Sequence, residues 1–263
     1  MDISVIIVNY KSKGLTLNCV KAIKESDLEG LKYEIIVVDN NSDDSIGEIL
    51  KWQYPEARFI QNERNLGMGG GNNAGIKKAL GAYIAIANPD VLVFKNTFKK
   101  LHDFMEKNRE VGVAGPQQFN PDRTVQDSCY RWHGLFTPLY RRTPLGLLGF
   151  AQGDLSRFLM KDFDRQTMRE VDWLLGSFLF CRTEALKQIG HFDERFFLYF
   201  EDTDLCRRFW NKNWKVIYHP EAKVIHNHNR ASARQPWYKF LGDKASRHHF
   251  FSWIKYLKKW GIN

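Results

Sequence analysis

Short, almost continuously apolar runs alternate with amphipathic segments in the first half of this chain, and that alternation constrains its fold more than any other feature. Ile3 to Val8, Tyr33 to Val38 and Tyr83 to Ala87 are rich in Val, Ile and Ala and do not switch regularly between apolar and polar. Strands of this kind are covered on both faces, as in a parallel sheet; a one-sided antiparallel sheet would alternate. Between them, Leu17, Val20 and Ile23 mark one helix face, Ile46, Ile49 and Leu50 a second, and Ile76, Ala79 and Leu80 a third, with a short strand at Arg58 to Gln61. The expected fold is an α/β domain with a mainly parallel, Rossmann-like sheet flanked by helices. The second half changes character. It has strand signals at Val111 to Ala114, Trp173 to Phe180, Lys215 to Tyr218 and Lys223 to Ile225, a helix carrying Leu205, Cys206, Phe209 and Trp210, and an irregular stretch over 119–169. No repeat or low-complexity linker interrupts it, so 1–230 reads as one domain with an elaborated second half beyond residue 115, followed by an extension over 231–263.

Composition removes several classes. With 263 residues, 43% hydrophobic and 26% charged, the chain can bury a substantial core and is not disordered throughout. Its longest apolar runs, such as Phe178 to Cys181, are far too short to cross a bilayer, and Met1-Asp2-Ile3-Ser4 does not open a signal peptide. Cys19, Cys129, Cys181 and Cys206 lack the spacing of a zinc site or disulfide framework, which fits a reduced, cytoplasmic protein. The net charge of +9 is concentrated late: from Arg230 onward eight basic residues face Asp243 alone. Such a tail suits either nucleic acid or an anionic membrane surface. Within it Phe250, Trp253, Ile254 and Leu257 follow helical spacing, as in a helix packed on its own domain or lying in a membrane interface.

Ligands of open parallel sheets bind outside the carboxyl ends of the strands, so the residues closing each strand carry the chemistry. The first strand closes in Val8-Asn9-Tyr10 and the second in Asp39-Asn40-Asn41-Ser42. Asp39 can accept from a ribose hydroxyl or a base imide, or merely cap the next helix. The segment 62–75 includes Gly67, Gly69, Gly70, Gly71, Asn72, Asn73 and Gly75. Glycines leading into a helix let backbone approach a ligand, and a helix amino end favours an anion such as pyrophosphate. The dinucleotide pattern fails, because Asn72 holds the place of its last glycine and the segment does not follow the first strand. Asn88-Pro89-Asp90 closes the fourth strand with a carboxylate suited to Mg²⁺ or Mn²⁺ on a diphosphate. Further on, an aromatic run delivers Asp193, Glu194, Glu201, Asp202 and Asp204 to a helix start, where acids are favoured by the helix dipole or held as a general base. His226 and His228 follow a late strand and can complete a metal site.

Taken in order, these pieces resemble family-2 glycosyltransferases of the GT-A fold, particularly bacterial rhamnosyltransferase-like members. The landmarks are Val-Asn-Tyr at 8–10, Val-Asp-Asn-Asn-Ser at 38–42, Asn-Leu-Gly…Gly-Gly-Asn-Asn-Ala-Gly at 65–75 and Asn-Pro-Asp at 88–90. Val-Asp-Trp-Leu-Leu-Gly-Ser at 171–177, the run from Gly190 to Asp202, and His226 complete them. The resemblance implies a nucleotide-binding half over 1–115 and an acceptor-binding half over 116–230. Val8, Asn9, Tyr10 and Asp39 would hold base and ribose, with Arg64 and Asn65 near the nucleotide and Gly67, Asn72 and Asn73 in the glycine-rich segment. Asn88 and Asp90 stand where the family has Asp-x-Asp; Asp90 would bind Mg²⁺ or Mn²⁺, and His226 resembles a second metal or phosphate ligand. Asp202 would be the base of a single inverting displacement, with Glu201 the alternative. The implied donor is dTDP-L-rhamnose or a UDP-sugar. The implied acceptor is a saccharide on a polyprenyl diphosphate, met through the 119–169 stretch with its Arg131, Trp132, Arg141 and Arg142. The protein would then be peripheral at the inner membrane face, in surface polysaccharide or O-antigen assembly. A sugar nucleotidyltransferase is the nearest alternative, but Tyr10-Lys11-Ser12-Lys13 stands where its glycine-rich loop belongs. A nucleic-acid-binding protein using the tail is the non-enzymatic alternative; the rest of the chain has no nucleic-acid motif, so no nucleic-acid partner is expected. The sequence does not set an oligomeric state.

Overall fold

A computed structural model describes residues 1–28, 30–227 and 243–261. The first half runs β1 (Ile3–Asn9), α1 (Lys13–Lys24), β2 (Tyr33–Asp39), α2 (Ile46–Gln53), β3 (Arg58–Gln61), α3 (Gly67–Ile76), β4 (Tyr83–Ala87), β5 (Val91–Val93) and α4 (Thr97–Lys107). The second half continues with β6 (Val111–Phe119), β7 (Cys129–Tyr130), α5 (Thr137–Tyr140), a 3₁₀ turn (Pro144–Leu147), α6 (Gly149–Phe158), β8 (Arg169–Glu170), β9 (Trp173–Leu174), β10 (Phe178–Arg182), α7 (Thr183–Ile189), α8 (Glu201–Asn211), β11 (Lys215–His226) and α9 (Lys244–Trp260).

Among the described residues one large sheet has the order β3-β2-β1-β4-β10-β6-β11-β5, with β8 beside β11. The strands β3, β2, β1 and β4 are parallel, as the unalternating runs predict, and the parallel run is broken where antiparallel β10 enters between β4 and β6. Each face of β1 feeds a separate core. Ile3, Val5 and Ile7 pack with Val20 and Ile23 of α1 and Phe98 and Leu101 of α4, while Ile6 and Val8 pack with Ile76 of α3 on the other side, in the layer that also holds Leu205 and Phe209 of α8. All four cysteines are buried and unpaired.

The topology decides where a ligand can sit. The chain leaves β1 toward β2 and β3, then returns to place β4 on β1's other side. That reversal opens a crevice at the carboxyl ends of β1 and β4. Antiparallel β10 begins beside the end of β4, with the Asn88 N–H donating to the Ser177 carbonyl at 2.8 Å. At its far end β11 pairs His226 with Val91. Chemistry-bearing residues from both halves therefore meet at one edge.

Several expectations need correction. The third helix is Gly67–Ile76, so the glycines lie inside it and Ala79 and Leu80 beyond it. A Cβ at Gly71 would stand 2.7 Å from Val8 Cγ1, and one at Gly75 2.6 Å from Ile6 Cγ2, so these glycines allow the helix to lie against β1. Residues 173–180 form two strands separated by a turn, and 215–226 form one strand with a register shift between His219 and Lys223. The 119–169 stretch is not wholly irregular, for it holds β7, α5, the 3₁₀ turn and α6. In α9 the buried side chains are Ser246, Ser252 and Tyr256, with Trp253 and Trp260 partly buried beside them. Phe250, from the expected stripe, stands exposed, because the helix faces the aromatic turn of Phe196 and Phe200. His228, Arg230, Arg234 and Lys239, with the domain boundary at 230/231, lie outside the described residues.

Candidate active site

At the nucleotide end, parallel register sets Asn9 of β1 beside Asp39 of β2. The Asn9 amide donates to Asp39 at 2.7 Å and to Ser42 at 2.9 Å, while its oxygen accepts from Ser12 and Thr16. Asp39 also accepts from the Ser42 hydroxyl, the Ser42 N–H and Gln61. Burial alone would raise this carboxyl, but those hydrogen bonds outweigh it and hold Asp39 below the usual aspartate range, ionised at neutral pH. Asp39 does not cap α2, whose N-cap is Ser45. Val8 points into the core, and Tyr10 and Arg64 are exposed at the rim.

The glycine helix is not an open anion site at its first residues. The Gly67 N–H is taken by Asn65 Oδ1 at 2.8 Å and the Met68 N–H by the Phe197 carbonyl at 2.9 Å. Gly67 has φ +74°, and a Cβ there would collide with that same carbonyl. The segment thus locks α3 to the loop before α8, with two of the amides at this helix end already taken. Asn73 likewise works within the fold: it donates to the Phe192 carbonyl and Glu194 and accepts from the Phe192 N–H. Asn72 is buried in the same helix.

The turn after β4 has a different character. Asn88 Oδ1 is buried without a partner, and Asp90 keeps about a quarter of its side chain exposed. His226 Nε2 lies 3.5 Å from Asp90 Oδ1. Its Nδ1 is 2.7 Å from Gln126 Oε1, whose own amide NH₂ donates to Asn120 Oδ1 at 2.9 Å. Asn120 in turn donates to Thr124. This chain of donors identifies the Gln126 oxygen, so Nδ1 of the imidazole donates to it and Nε2 faces Asp90. Among the described residues no group of three or more His, Cys, Asp or Glu is arranged to hold a metal. A carboxylate, one imidazole nitrogen and an unsatisfied amide oxygen do fit an ion that takes its remaining ligands from phosphate and water.

Opposite this turn, α8 begins with Glu201 and Asp202, both buried. Tyr199 and Phe200 immediately before it have φ of +67° and +68°, a left-handed conformation that bulky residues rarely adopt. The surrounding rings hold it there: Phe200 meets His133 at 4.8 Å, His249 at 5.2 Å and Tyr256 at 5.4 Å. Asp202 accepts from the Gly176 N–H at 2.8 Å and the Thr203 N–H at 2.7 Å. Glu201 Oε2 is buried with no partner. Burial raises both carboxyls, and Asp202's charge raises Glu201 further, whereas the backbone N–H groups favour the ionised form of Asp202. Glu201 is thus pushed more strongly toward its protonated form than Asp202, whose backbone N–H donors favour the carboxylate.

Both acids line a cavity of about 310 Å³ together with Asn88, Tyr130, His133, Arg141, Trp173 and His226. Tyr130, Trp173 and His133 stack in its wall, with Tyr130 and Trp173 ring centres 4.3 Å apart. His133 Nδ1 is a further buried atom without a partner, and burial lowers its pKa to about 3, so the ring is neutral. Asn88, Asp90, Glu201, Asp202 and His226 are thus assembled at one edge, whereas Asn9 is bonded to Asp39, and Asn65 to the Gly67 N–H, outside that group. Gln126, His133 and Gly176 complete the site beyond the residues singled out from sequence. Only Gly176 lay in a motif; nothing local marks the other two.

The sequence model of glycosyl transferase family 2 matches residues 4–167. The chain belongs to this family. That membership favours glycosyl transfer over nucleotidyl transfer, although the matched region stops short of Glu201, Asp202 and His226. Among curated relatives, the N-acetylglucosaminyl-diphospho-decaprenol L-rhamnosyltransferase of Mycobacterium tuberculosis is 28% identical over 241 residues, covering 81% of this chain and 75% of that protein. The rhamnosyltransferase WbbL of Escherichia coli K12 is 23% identical over 248 residues, covering 91% and 87%. The crystal structure of GalNAc-T7 with UDP, GalNAc and Mn²⁺ superposes with a TM-score of 0.65 at 16% identity, over 86% of this chain but only 44% of that one. Staphylococcus aureus TarS 1–349 with UDP gives 0.59 at 18% identity, over 86% and 60%. These two likenesses establish the shared fold.

Proposed function

We propose that this family-2 enzyme transfers a sugar, by a single inverting displacement, from a nucleotide diphosphate to a hydroxyl of a lipid-linked saccharide in surface polysaccharide synthesis. The observation that carries the reading is the Asp202 carboxylate, oriented by two backbone N–H groups on the wall of a cavity shared with Asn88 and His226. Two relatives named rhamnosyltransferases, one of them for a diphospho-decaprenol acceptor, support rhamnose as the sugar, for which we propose dTDP-L-rhamnose as donor, and a prenyl diphosphate on the acceptor. The neighbours crystallised with UDP keep a UDP-sugar as the alternative donor.

In this mechanism the acceptor hydroxyl lies in the cavity and donates its hydrogen bond to Asp202. As its oxygen bonds to the anomeric carbon, the bond from that carbon to the diphosphate breaks on the opposite side, and Asp202 takes the proton. Glu201, held neutral, avoids placing a second negative charge beside the attacking oxygen. Mg²⁺ or Mn²⁺ bound by Asp90 and His226 would supply positive charge to the leaving diphosphate. Gln126 keeps His226 in the tautomer such an ion requires. Asp39, ionised and rigid, would receive the ribose or base.

Thermal denaturation with dTDP, UDP, GDP and ADP, each with and without Mn²⁺, tests the donor side. A metal-dependent rise in melting temperature with dTDP or UDP, lost in Asp90→Ala, is the expected result. No rise with any nucleotide diphosphate would remove the reading.

A further inference from the structure

Between β7 and β8 the chain exposes a concentrated set of apolar side chains. Phe136, Leu139, Leu145, Leu147, Leu148 and Phe150 all stand in solvent, Leu147 at 81% and Phe150 at 68% of their full area. These residues sit on a built knuckle. Gly146 packs so tightly on the Tyr140 carbonyl that no Cβ could be accommodated. Thr137 bonds Asp154 at 2.5 Å, and Ala151 and Phe158 anchor α6 in the interior. Tyr140 meets Phe136 at 6.1 Å and Phe150 at 5.9 Å, so the aromatic side chains form one cluster. The fold thus fixes the backbone while turning its largest apolar groups outward, a costly arrangement for a surface that meets only water.

Charge and position indicate what covers it. No acidic residue occurs between Asp127 and Asp154, whereas Arg131, Arg141 and Arg142 do. On its inner side the same knuckle supplies Pro138, Arg141 and Arg142 to the cavity that holds Glu201 and Asp202. Arg131 is paired with Asp172 at 3.2 Å and Arg142 is half-buried, which leaves Arg141, exposed and stacked over Tyr130 and Phe158, as the cation beside the exposed leucines and phenylalanines. That combination matches the headgroup and upper acyl region of an anionic bilayer. The sequence pattern left α9 as either a packed helix or a membrane-facing one; there Lys259 is bonded to Asp193 and Asp204 and Lys255 to the Arg195 carbonyl. Among the described residues no helix is long and apolar enough to span a membrane.

We infer that the 136–150 knuckle is the surface by which this protein seats on an anionic phospholipid bilayer, with Leu147 and Phe150 among the acyl chains and the cavity opening at headgroup level. This deepens the proposed function, on which it rests for the lipid-linked acceptor, by assigning the membrane-facing side of that cavity.

Co-sedimentation would be measured with vesicles of phosphatidylcholine alone and with vesicles in which about a third is phosphatidylglycerol. The wild-type chain should sediment with the anionic vesicles, and Leu147→Glu/Phe150→Glu should lower its partition coefficient about tenfold or more. Phe251→Glu on α9, also an exposed aromatic, should leave it within about twofold. Nucleotide-induced stabilisation, measured on the same samples, should be unchanged in each variant, which separates loss of the surface from loss of the fold. If wild type shows no nucleotide effect yet vesicle binding follows this pattern, the membrane surface stands and the glycosyl-transfer reading falls. Absence of wild-type binding, or loss in Phe251→Glu but not in the double variant, overturns the inference. Conversion of a dimer to a monomer by the double variant, seen by light scattering, would assign the surface to a second copy and overturn it equally.

Discussion

Asp202 and Glu201 are neighbours in sequence and nearly equal in burial, yet their surroundings assign them different protonation states. Burial raises both carboxyls, but two backbone N–H groups favour the anion of Asp202, whereas Glu201 has a buried oxygen with nothing to accept from. Asp202→Asn should therefore lower kcat about 10²–10⁴-fold, the range for losing a general base. Glu201→Gln, which resembles the neutral acid, should retain most activity. The reverse pattern would exchange their roles. The raised carboxyls also fix a sign. Groups that titrate higher in the folded state favour folding while protonated and disfavour it once pH climbs through the unfolded value, about 4.3 for Glu, toward the folded one. Glu201→Gln removes that penalty, so at pH 8 it should melt no lower than wild type. A melting temperature several degrees below wild type at pH 8 would contradict a neutral Glu201. The acid cluster was legible because its residues are contiguous. The protonation assignment was not, since it depends on the Gly176 N–H, which β10 brings from 26 residues away.

At the scale of elements, the glycine helix shows a packing task that its pattern does not announce. Its glycines resemble a phosphate loop, but they serve close packing: Gly71 on Val8, Gly75 on Ile6 and Gly67 on the Phe197 carbonyl. Gly71→Val should destabilise by about 2–4 kcal/mol, through overpacking against β1 and the helix cost of a β-branched residue. Urea unfolding checks it; a change below about 0.5 kcal/mol would mean that the helix moves freely off the sheet. The strands of the parallel half were legible because two-sided burial removes polar alternation. Antiparallel β10 was not distinguishable from them, for it too is buried on both sides, and its Phe178 to Cys181 run looks the same in either direction. The short elements of 119–169 were missed because two- and four-residue pieces carry no period.

For the whole molecule, α9 is a clasp over the turn that leads into α8. Lys259 reaches Asp193 at 2.7 Å and Asp204 at 2.6 Å, Trp260 donates to Asp204 at 2.8 Å, and Ser252 donates to the Leu198 carbonyl at 2.9 Å. These contacts hold both ends of the left-handed turn at Tyr199 and Phe200. Lys259→Ala should cost about 2 kcal/mol, less than a fully buried pair because Arg208 and Trp260 still satisfy Asp204. It should lower kcat while leaving nucleotide-induced stabilisation within error, because Asp39 and Asp90 lie in the other half. Equal loss of both would mean that the halves are not separable.

The clasp also orders the events of synthesis. A chain leaving the ribosome presents β1 through β4 first, and these can pair with one another before the second half exists. The carboxylate helix follows, and its left-handed approach meets His133 on one side but lacks the His249 and Tyr256 rings until α9 emerges and docks. The turn before α8 is therefore completed later than the parallel half, and a nascent chain held just short of α9 would carry the Asn9–Asp39 cluster before the Glu201–Asp202 turn is fully packed.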